Sequence, residues 1–536
     1  MSAFDLPVIS PDANPEFTDA ASCAQWLRTV PLINVAPSHS RILGQIEELN
    51  CFEVEPSERL RIMELLLEPA TFVQAEHAKK FTAKPVPLGK PERDIFYNVL
   101  GLWDALSHGY RHCLLSVLGN HPALAGQQAL VCQRALWCIG QRIVEHYKSF
   151  QEFSGEDWKL LHHLFATAEG LGILDKEVPD AAQKTRATSC LRTYVHSLLL
   201  QLANDPSEPS PKQLVIVGRW LEYLAQKVRI DRKPGPGAPG LAPLAVDLAA
   251  ARGAVHETLS GGSTRHLRID ELAKSIRSRV ALLRAGDTPE KLGLGDDVSA
   301  SAAEQLLLIV HRQWCEEPRP RVSSRRAVAV PAKVCMGLSA IHYCISGKPF
   351  RQPAAPKELT KAQRDEIATF GHVSTREDEE RAIQQSYTVE AWTITEESLG
   401  GLRISRGADG GKSRLVQRQL IGVLPADAKG LMVGVVRWLA VSGEVELRAG
   451  VRILPGLPRC VAVRATGLNT TNEMYVPALV LPAVPALQSP AALILPAGWY
   501  RPKRLVEVLS DKAEQILLTG ILDRGADFER LSIGAP

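Results

Sequence analysis

Five arginines, Arg312, Arg319, Arg321, Arg325 and Arg326, fall within a short stretch that holds only Glu316 and Glu317 as acids. The local excess of +3 equals the net charge of the whole chain. Guanidinium groups four residues apart on an extended segment, as at Arg321 and Arg325, fork onto phosphate oxygens and lie flat on a purine face, which a lysine ammonium does less well. Charge alone favours a solvated, proline-flanked linker. A second constellation stands farther on. Thr393-Ile394-Thr395-Glu396-Glu397-Ser398-Leu399-Gly400-Gly401-Leu402-Arg403-Ile404 ends one strand, turns at Ser-Leu-Gly-Gly and starts another.

An Arg-x-x-x-Arg stretch before a first strand, followed by an acid-x-Ser-x-x-Gly turn and later a Gly-Val-aromatic strand, resembles the PilZ domain. That family is a small β-barrel that binds the bacterial second messenger cyclic di-GMP. The resemblance falls on Arg321 and Arg325, then on Glu396, Ser398 and Gly401, with Gly434 to Leu439 and Gly450 to Ile453 similar to later strands of the barrel. It implies that Arg321 and Arg325, helped by Arg326, hold phosphates and guanines, while Ser398, Gly401 and Glu396 line the opposite side. Glu396 stands where the family has Asp or Asn, one methylene shorter. Seventy residues separate Arg325 from Glu396, more than a compact barrel needs, so the charged, helix-prone segment at 351–388 is expected to loop out. The whole resembles large PilZ-containing proteins of proteobacteria. It implies no cofactor, cyclic di-GMP as ligand, and a protein partner engaged by the helical half. Glu396 and the insertion favour an alternative, a ligand-free structural adaptor with a degenerate barrel and a constitutive protein-binding helical domain.

Enzymatic chemistry finds little to use. Gly407-Ala408-Asp409-Gly410-Gly411-Lys412-Ser413 ends like a phosphate-binding loop, but Arg406 occupies the place of the first glycine and no helix is expected to follow. His108 and His112 lie one helical turn apart without the glutamate of a zinc-protease motif, and His162-His163 sit on an amphipathic helix, so both pairs fit core or boundary positions. No Gly-x-Ser-x-Gly elbow occurs. These features predict a binding protein, not an enzyme, and no metal site.

The elements that position the arginines divide the chain. From residue 15 to about 230 the apolar residues recur at helical spacing: Leu60, Met63, Leu67 and Phe72 near one stripe, Trp158, Leu161, Leu164 and Phe165 after the capping box at Ser154, then Leu191, Tyr194, Leu198 and Leu199, and Leu214, Val217, Trp220, Leu221 and Leu224. No second copy recurs at a fixed period. The spacing predicts an all-α bundle or solenoid over 15–230 after a tail at 1–14, a linker at 231–242 around Lys233-Pro234-Gly235-Pro236-Gly237, and further helices over 243–315. Alternation then takes over in Ala327 to Val330, Ala332 to Cys335, Val389 to Thr395, Leu402 to Ser405, Leu431 to Leu439, Val445 to Ile453 and Cys460 to Ala465. The expectation is an α+β protein with a PilZ-like antiparallel barrel over 316–456 and a β-rich extension over 457–536.

The length of 536 residues allows several domains, and 45% apolar with 23% charged residues is globular composition. A net charge of +3 offers no general field for nucleic acid or an anionic membrane, and no interleaved aromatics follow the arginine cluster to stack bases. Ten cysteines without a Cys-x-x-Cys pair predict reduced thiols, and the start MSAFDLPVISPD lacks a secretory pattern, so a cytoplasmic protein is expected. Met474 to Tyr500 carries no charge and is long enough for a bilayer, but Pro477, Pro482, Pro485, Pro490 and Pro496 interrupt every turn of such a helix. Short strands are expected there instead of a membrane span.

Overall fold

The computed structural model describes residues 4–181, 186–204, 208–235, 240–317, 324–353, 387–443, 446–466 and 474–535. Of the expected insertion at 351–388, residues 354–386 lie outside these. Two units emerge, Met1–Lys84 with Leu88–Pro320, and Pro85–Pro87 with Arg321–Pro536.

The first unit is built on helices α1 (Ala20–Leu27), α2 (Val35–Asn50), α3 (Pro56–Ala78), α4 (Lys90–Leu118), α5 (Gln128–Lys148), α6 (Gly155–Gly170), α7 (Cys190–Ala203), α8 (Pro211–Leu224), α9 (Asp270–Arg284) and α10 (Ala300–Cys315). Short strands β1 (Val178–Pro179) and β2 (Ala187–Thr188) pair with each other, and β3 (Arg229–Asp231) and β4 (Ala245–Asp247) flank β5 (Thr264–Arg268). The stripes explain the helices. On α6 the Ser154 hydroxyl accepts the Asp157 amide at 3.1 Å, and Trp158, Leu161, Leu164 and Phe165 are buried. On α8 all five expected stripe residues are buried behind the Ser210–Gln213 capping box. Each such side chain contributes roughly 1.5–3 kcal/mol by leaving water. The stripe on α3 needs one correction: Leu60, Met63 and Leu67 are buried, but Phe72 is 48% exposed. Five residues beyond Leu67 is well past one turn, which carries Phe72 off the core face. A single core runs from Phe4 to Cys315, so α9 and α10 pack into it despite the intervening glycine and proline segment.

The second unit holds two closed antiparallel barrels. The first comprises β6 (Arg326–Met336), β7 (Val389–Ser398), β8 (Gly401–Gly407), β9 (Leu420–Pro425), β10 (Met432–Ser442) and β11 (Glu446–Ile453), in the spatial order β10-β11-β8-β7-β6-β9. The second comprises β12 (Arg459–Ala465), β13 (Val476–Leu481), β14 (Ala492–Pro496), β15 (Leu505–Leu509), β16 (Ala513–Arg524) and β17 (Phe528–Gly534), in the order β12-β13-β14-β17-β16-β15. Closure leaves no free strand edge to template aggregation. The C-terminal β-rich stretch is thus a barrel in its own right. Helix α11 (Leu338–Ser346) follows β6, and its Leu338 and Ile341 join Leu420, Val433, Leu479, Ile494 and Phe528 in a core shared by both barrels. The uncharged run holds β13, a 3-10 turn at Pro485–Leu487 and β14. Among the described residues no helix is long and apolar enough to cross a membrane. The fold is α+β.

Candidate functional site

The β7–β8 hairpin closes on two residues, Leu399 and Gly400, with Ser398 paired to Gly401. The Ser398 hydroxyl donates to the Gly401 carbonyl at 3.1 Å, and the Gly400 carbonyl accepts the Ile453 amide at 3.0 Å, fastening the turn to the end of β11. Gly401 is a contact requirement: a Cβ there would lie 2.9 Å from the Val451 carbonyl oxygen. A bulge between Ile394 and Glu396 leaves Thr395 without a pair on β8 and sets Glu396 opposite Arg403. Bulges re-aim the side chains that follow them, and this one turns a carboxylate to two guanidinium groups.

Glu396 Oε1 accepts from Arg403 Nη1 at 2.7 Å, and Oε2 accepts from Arg325 Nη1 at 3.0 Å. Slight burial pulls the Glu396 carboxyl up, but the hydrogen bonds from Arg403 and Arg325 outweigh it and hold the group below its ordinary range. Arg403 lies over the Trp438 ring, 5.8 Å from its centroid. Trp438 has room because its cross-strand partner is Gly450, where a Cβ would fall 1.8 Å from the indole nitrogen. Gly450, Trp438, Arg403, Glu396 and Arg325 thus form one supported line from barrel wall to rim.

At that rim opens a cavity of 810 Å³, within the range of about 300–1,000 Å³ usual for small-molecule sites. Arg325, Ser398, Leu399 and Gly400 form one wall, Met432, Arg452 and Ile453 another, the segment from Leu454 to Leu457 after β11 a third, and Val484 and Leu487 of the second barrel the last. Of the residues singled out in sequence, Arg325 and Ser398 line this space. Glu396 reaches it through Arg325, and Gly401 supports the turn. Arg326 is instead directed at Glu397, donating from Nε at 3.0 Å and Nη2 at 2.5 Å, and does not line the cavity. Arg321 lies outside the described residues.

The remaining candidates have structural duties. Arg406 donates to the Ser413 carbonyl at 2.7 Å and faces Glu390 at 3.3 Å, both side chains nearly fully buried, while Glu390 accepts the Ser413 amide at 2.7 Å. The Gly407 to Ser413 loop is folded onto that ion pair and leads toward β9, not a helix, so it cradles no phosphate. His162 is held by the Tyr194 hydroxyl at 2.7 Å and the Arg252 carbonyl at 2.9 Å. Burial pushes His108 and His112 down to about 4. Among the described residues no group of three potential ligands could hold a metal ion. A smaller cavity of 180 Å³ in the helical unit is lined by Arg186, whose charge is already met by Glu222 at 2.7 Å, and by His196, engaged with the Gly218 carbonyl at 3.1 Å.

Sequence reasoning missed Arg403, Trp438 and Arg452 as site residues. Arg403 had a signal: counting back from a two-residue turn places it opposite Glu396. Arg452 had none, because its place depends on the second barrel.

Two stretches of the chain match known families. Residues 21–235 match the family described as the cyclic-di-GMP receptor FimW, N-terminal domain, and residues 461–534 match the FimW C-terminal beta-barrel domain. The first stretch runs from α1 into the segment after β3, and the second covers nearly all of the second barrel. The chain is also 22% identical over 526 residues to the cyclic-di-GMP receptor FimW of Pseudomonas aeruginosa, an alignment covering 90% of this chain and 85% of that protein.

Proposed function

The chain belongs to the FimW family, and on that premise we propose that it is a cyclic di-GMP receptor that takes its ligand at the rim of the first barrel. The observation that carries the reading is the convergence of Arg325 with the Ser398 to Gly400 turn on one wall of an 810 Å³ cavity. Arg325 supplies a guanidinium to a ligand phosphate. Ser398 and the backbone of the turn, held close by Gly401, offer polar contacts to a guanine edge. The protein acts as a binding receptor without bond-breaking chemistry. Its helical half is the surface that passes ligand occupancy to a protein partner, and its ten free thiols suit the cytoplasm.

The bond between Arg325 and Glu396 favours a second reading, a ligand-free adaptor whose own glutamate fills the phosphate position. Magnitudes decide between them. A solvent-exposed ion pair is worth about 0–1 kcal/mol, whereas a hydrogen bond from a guanidinium to an anionic ligand contributes about 1.5–3 kcal/mol. Arg403 remains to hold Glu396 once Arg325 turns away, so exchange favours the phosphate. Calorimetric titration of the full chain with cyclic di-GMP tests this: saturable binding supports the receptor, and a flat trace at high micromolar ligand establishes the adaptor.

A further inference from the structure

Large apolar side chains exposed to water gather at the same cavity: Leu399 is 78% exposed, Leu457 67% and Leu487 48%, and each lines it. Clustered exposed apolar surface marks a binding site where isolated exposed leucines would not. Leu487 belongs to the second barrel. So does the carboxylate that orients Arg452 on the cavity wall: Arg452 Nη2 donates to Asp523 Oδ1 at 2.6 Å. Asp523 is shared, since Arg530 Nη1 donates to its other oxygen at 3.5 Å, so two guanidinium charges face one carboxylate. The Arg452 Nε is buried and has no hydrogen-bond partner among the described residues. A buried donor left unpaired destabilises its surroundings until something accepts from it. The turn bearing Leu487 is not loose either. Arg530 Nη2 donates to Ser489 Oγ at 2.7 Å, and Ser489 and Val484 exchange backbone hydrogen bonds at 2.9 and 3.2 Å across the Pro485–Leu487 turn. A continuous set of bonds therefore ties the cation on one wall to the apolar turn on the other.

We propose that the binding site spans both barrels, with Arg452 as a further phosphate-contacting residue and Leu487, with Leu399 and Leu457, as the apolar surface that covers the planar bases of a cyclic dinucleotide. The inference rests on the receptor reading above and extends it to a residue outside both motifs and to a barrel outside the PilZ resemblance. The chemistry suits a ligand with two phosphates and two purines. A single arginine at Arg325 meets one phosphate, and a second guanidinium with spare donor capacity meets the other, while aromatic faces remove leucine surface from water.

The test is titration of the full-length chain and its variants with cyclic di-GMP, with thermal unfolding run in parallel. Arg452→Gln is expected to weaken binding by about tenfold or more, and Leu487→Ser, at an exposed position, by about threefold to tenfold with an unchanged unfolding midpoint. Arg325→Ala serves as the reference for the receptor reading. If the parent binds and Arg325→Ala binds weakly, but Arg452→Gln and Leu487→Ser both match the parent, the two-barrel site is overturned and the receptor reading stands. A parent that does not bind overturns both. Should Arg452→Gln unfold, Leu487→Ser decides alone: parental affinity rejects the proposal, and weakened affinity with intact folding supports it.

Discussion

Arg325 and Glu396 are joined at 3.0 Å across the start of β6 and the bulged end of β7, so the residue expected to hold a phosphate already holds a carboxylate. The second oxygen of Glu396 belongs to Arg403 at the shorter distance of 2.7 Å, with Trp438 under the guanidinium. A side chain one methylene shorter cannot span both arginines. Glu396→Asp should therefore keep the cross-strand Arg403 and release Arg325. Since an exposed ion pair is worth at most about 1 kcal/mol, the variant should bind cyclic di-GMP as well as the parent or up to about fivefold more tightly. Isothermal titration is the check, and a tenfold loss of affinity would show that Glu396 contacts the ligand itself.

Arg325→Ala removes the guanidinium from the cavity wall. The lost charge-assisted bond should weaken binding by about tenfold to more than a hundredfold. Its side chain is 38% exposed and pairs with a carboxylate that is itself open to solvent, so stability should move by less than about 0.5 kcal/mol. A chemical denaturation series measured beside the titration separates the two effects. Parental binding would return Arg325 to the status of a linker residue.

Much of this arrangement is legible in the amino-acid sequence. The alternation around Val328, Ala332, Trp392 and Ile404 gives the first barrel's strands because a strand buries every second side chain, and the Ser398 to Gly401 turn fixes its own register. The cavity's other half is not legible. Arg452 and Leu487 are brought together by pairings such as Ala492 with Ser532, between strands far apart in sequence, and no local pattern encodes which distant edges close a barrel. Strand β9, at Leu420–Pro425, is hidden for a different reason. It is buried on nearly every residue, so it shows no alternation. Helix α11 is only nine residues long, too short a run for periodicity to separate it from a buried strand.

Gly450→Ala tests the support line behind the site. A Cβ would fall 1.8 Å from the Trp438 indole nitrogen, with the rest of the ring edge within 2.4 Å, so the indole must leave its place over Gly450. Overpacking of this kind costs about 1–3 kcal/mol. Arg403 would lose the ring beneath it, and the hold on Glu396 would loosen. The expected result is a lower unfolding midpoint together with a changed tryptophan emission and weaker cyclic di-GMP binding. Unchanged emission and stability would mean that the wall yields without cost.

The helical unit carries a separate prediction in pH. Burial, reinforced by the Arg142 charge, pushes His146 from its ordinary 6.5 down to about 4, and its ring packs edge-on against Phe96 and Phe153, both at 5.4 Å. An unfolded chain takes up the proton near 6.5 and the folded chain only near 4, so between those values the unfolded state binds more protons and stability falls as pH falls. Above 6.5 the imidazole is neutral in both states and costs nothing. Other buried groups titrate too: His77, His108 and His112 act in the same direction, and Glu145, whose carboxyl is raised by burial, acts in the opposite one. Comparing the parent with His146→Leu cancels them. The variant retains an apolar side chain between the two phenylalanines but has no proton to exclude. Its unfolding midpoint relative to the parent should therefore rise steadily from about pH 7 to about pH 4.5 in calorimetric scans. Parallel curves across that range would show that His146 is protonated as readily in the folded protein as in the unfolded chain.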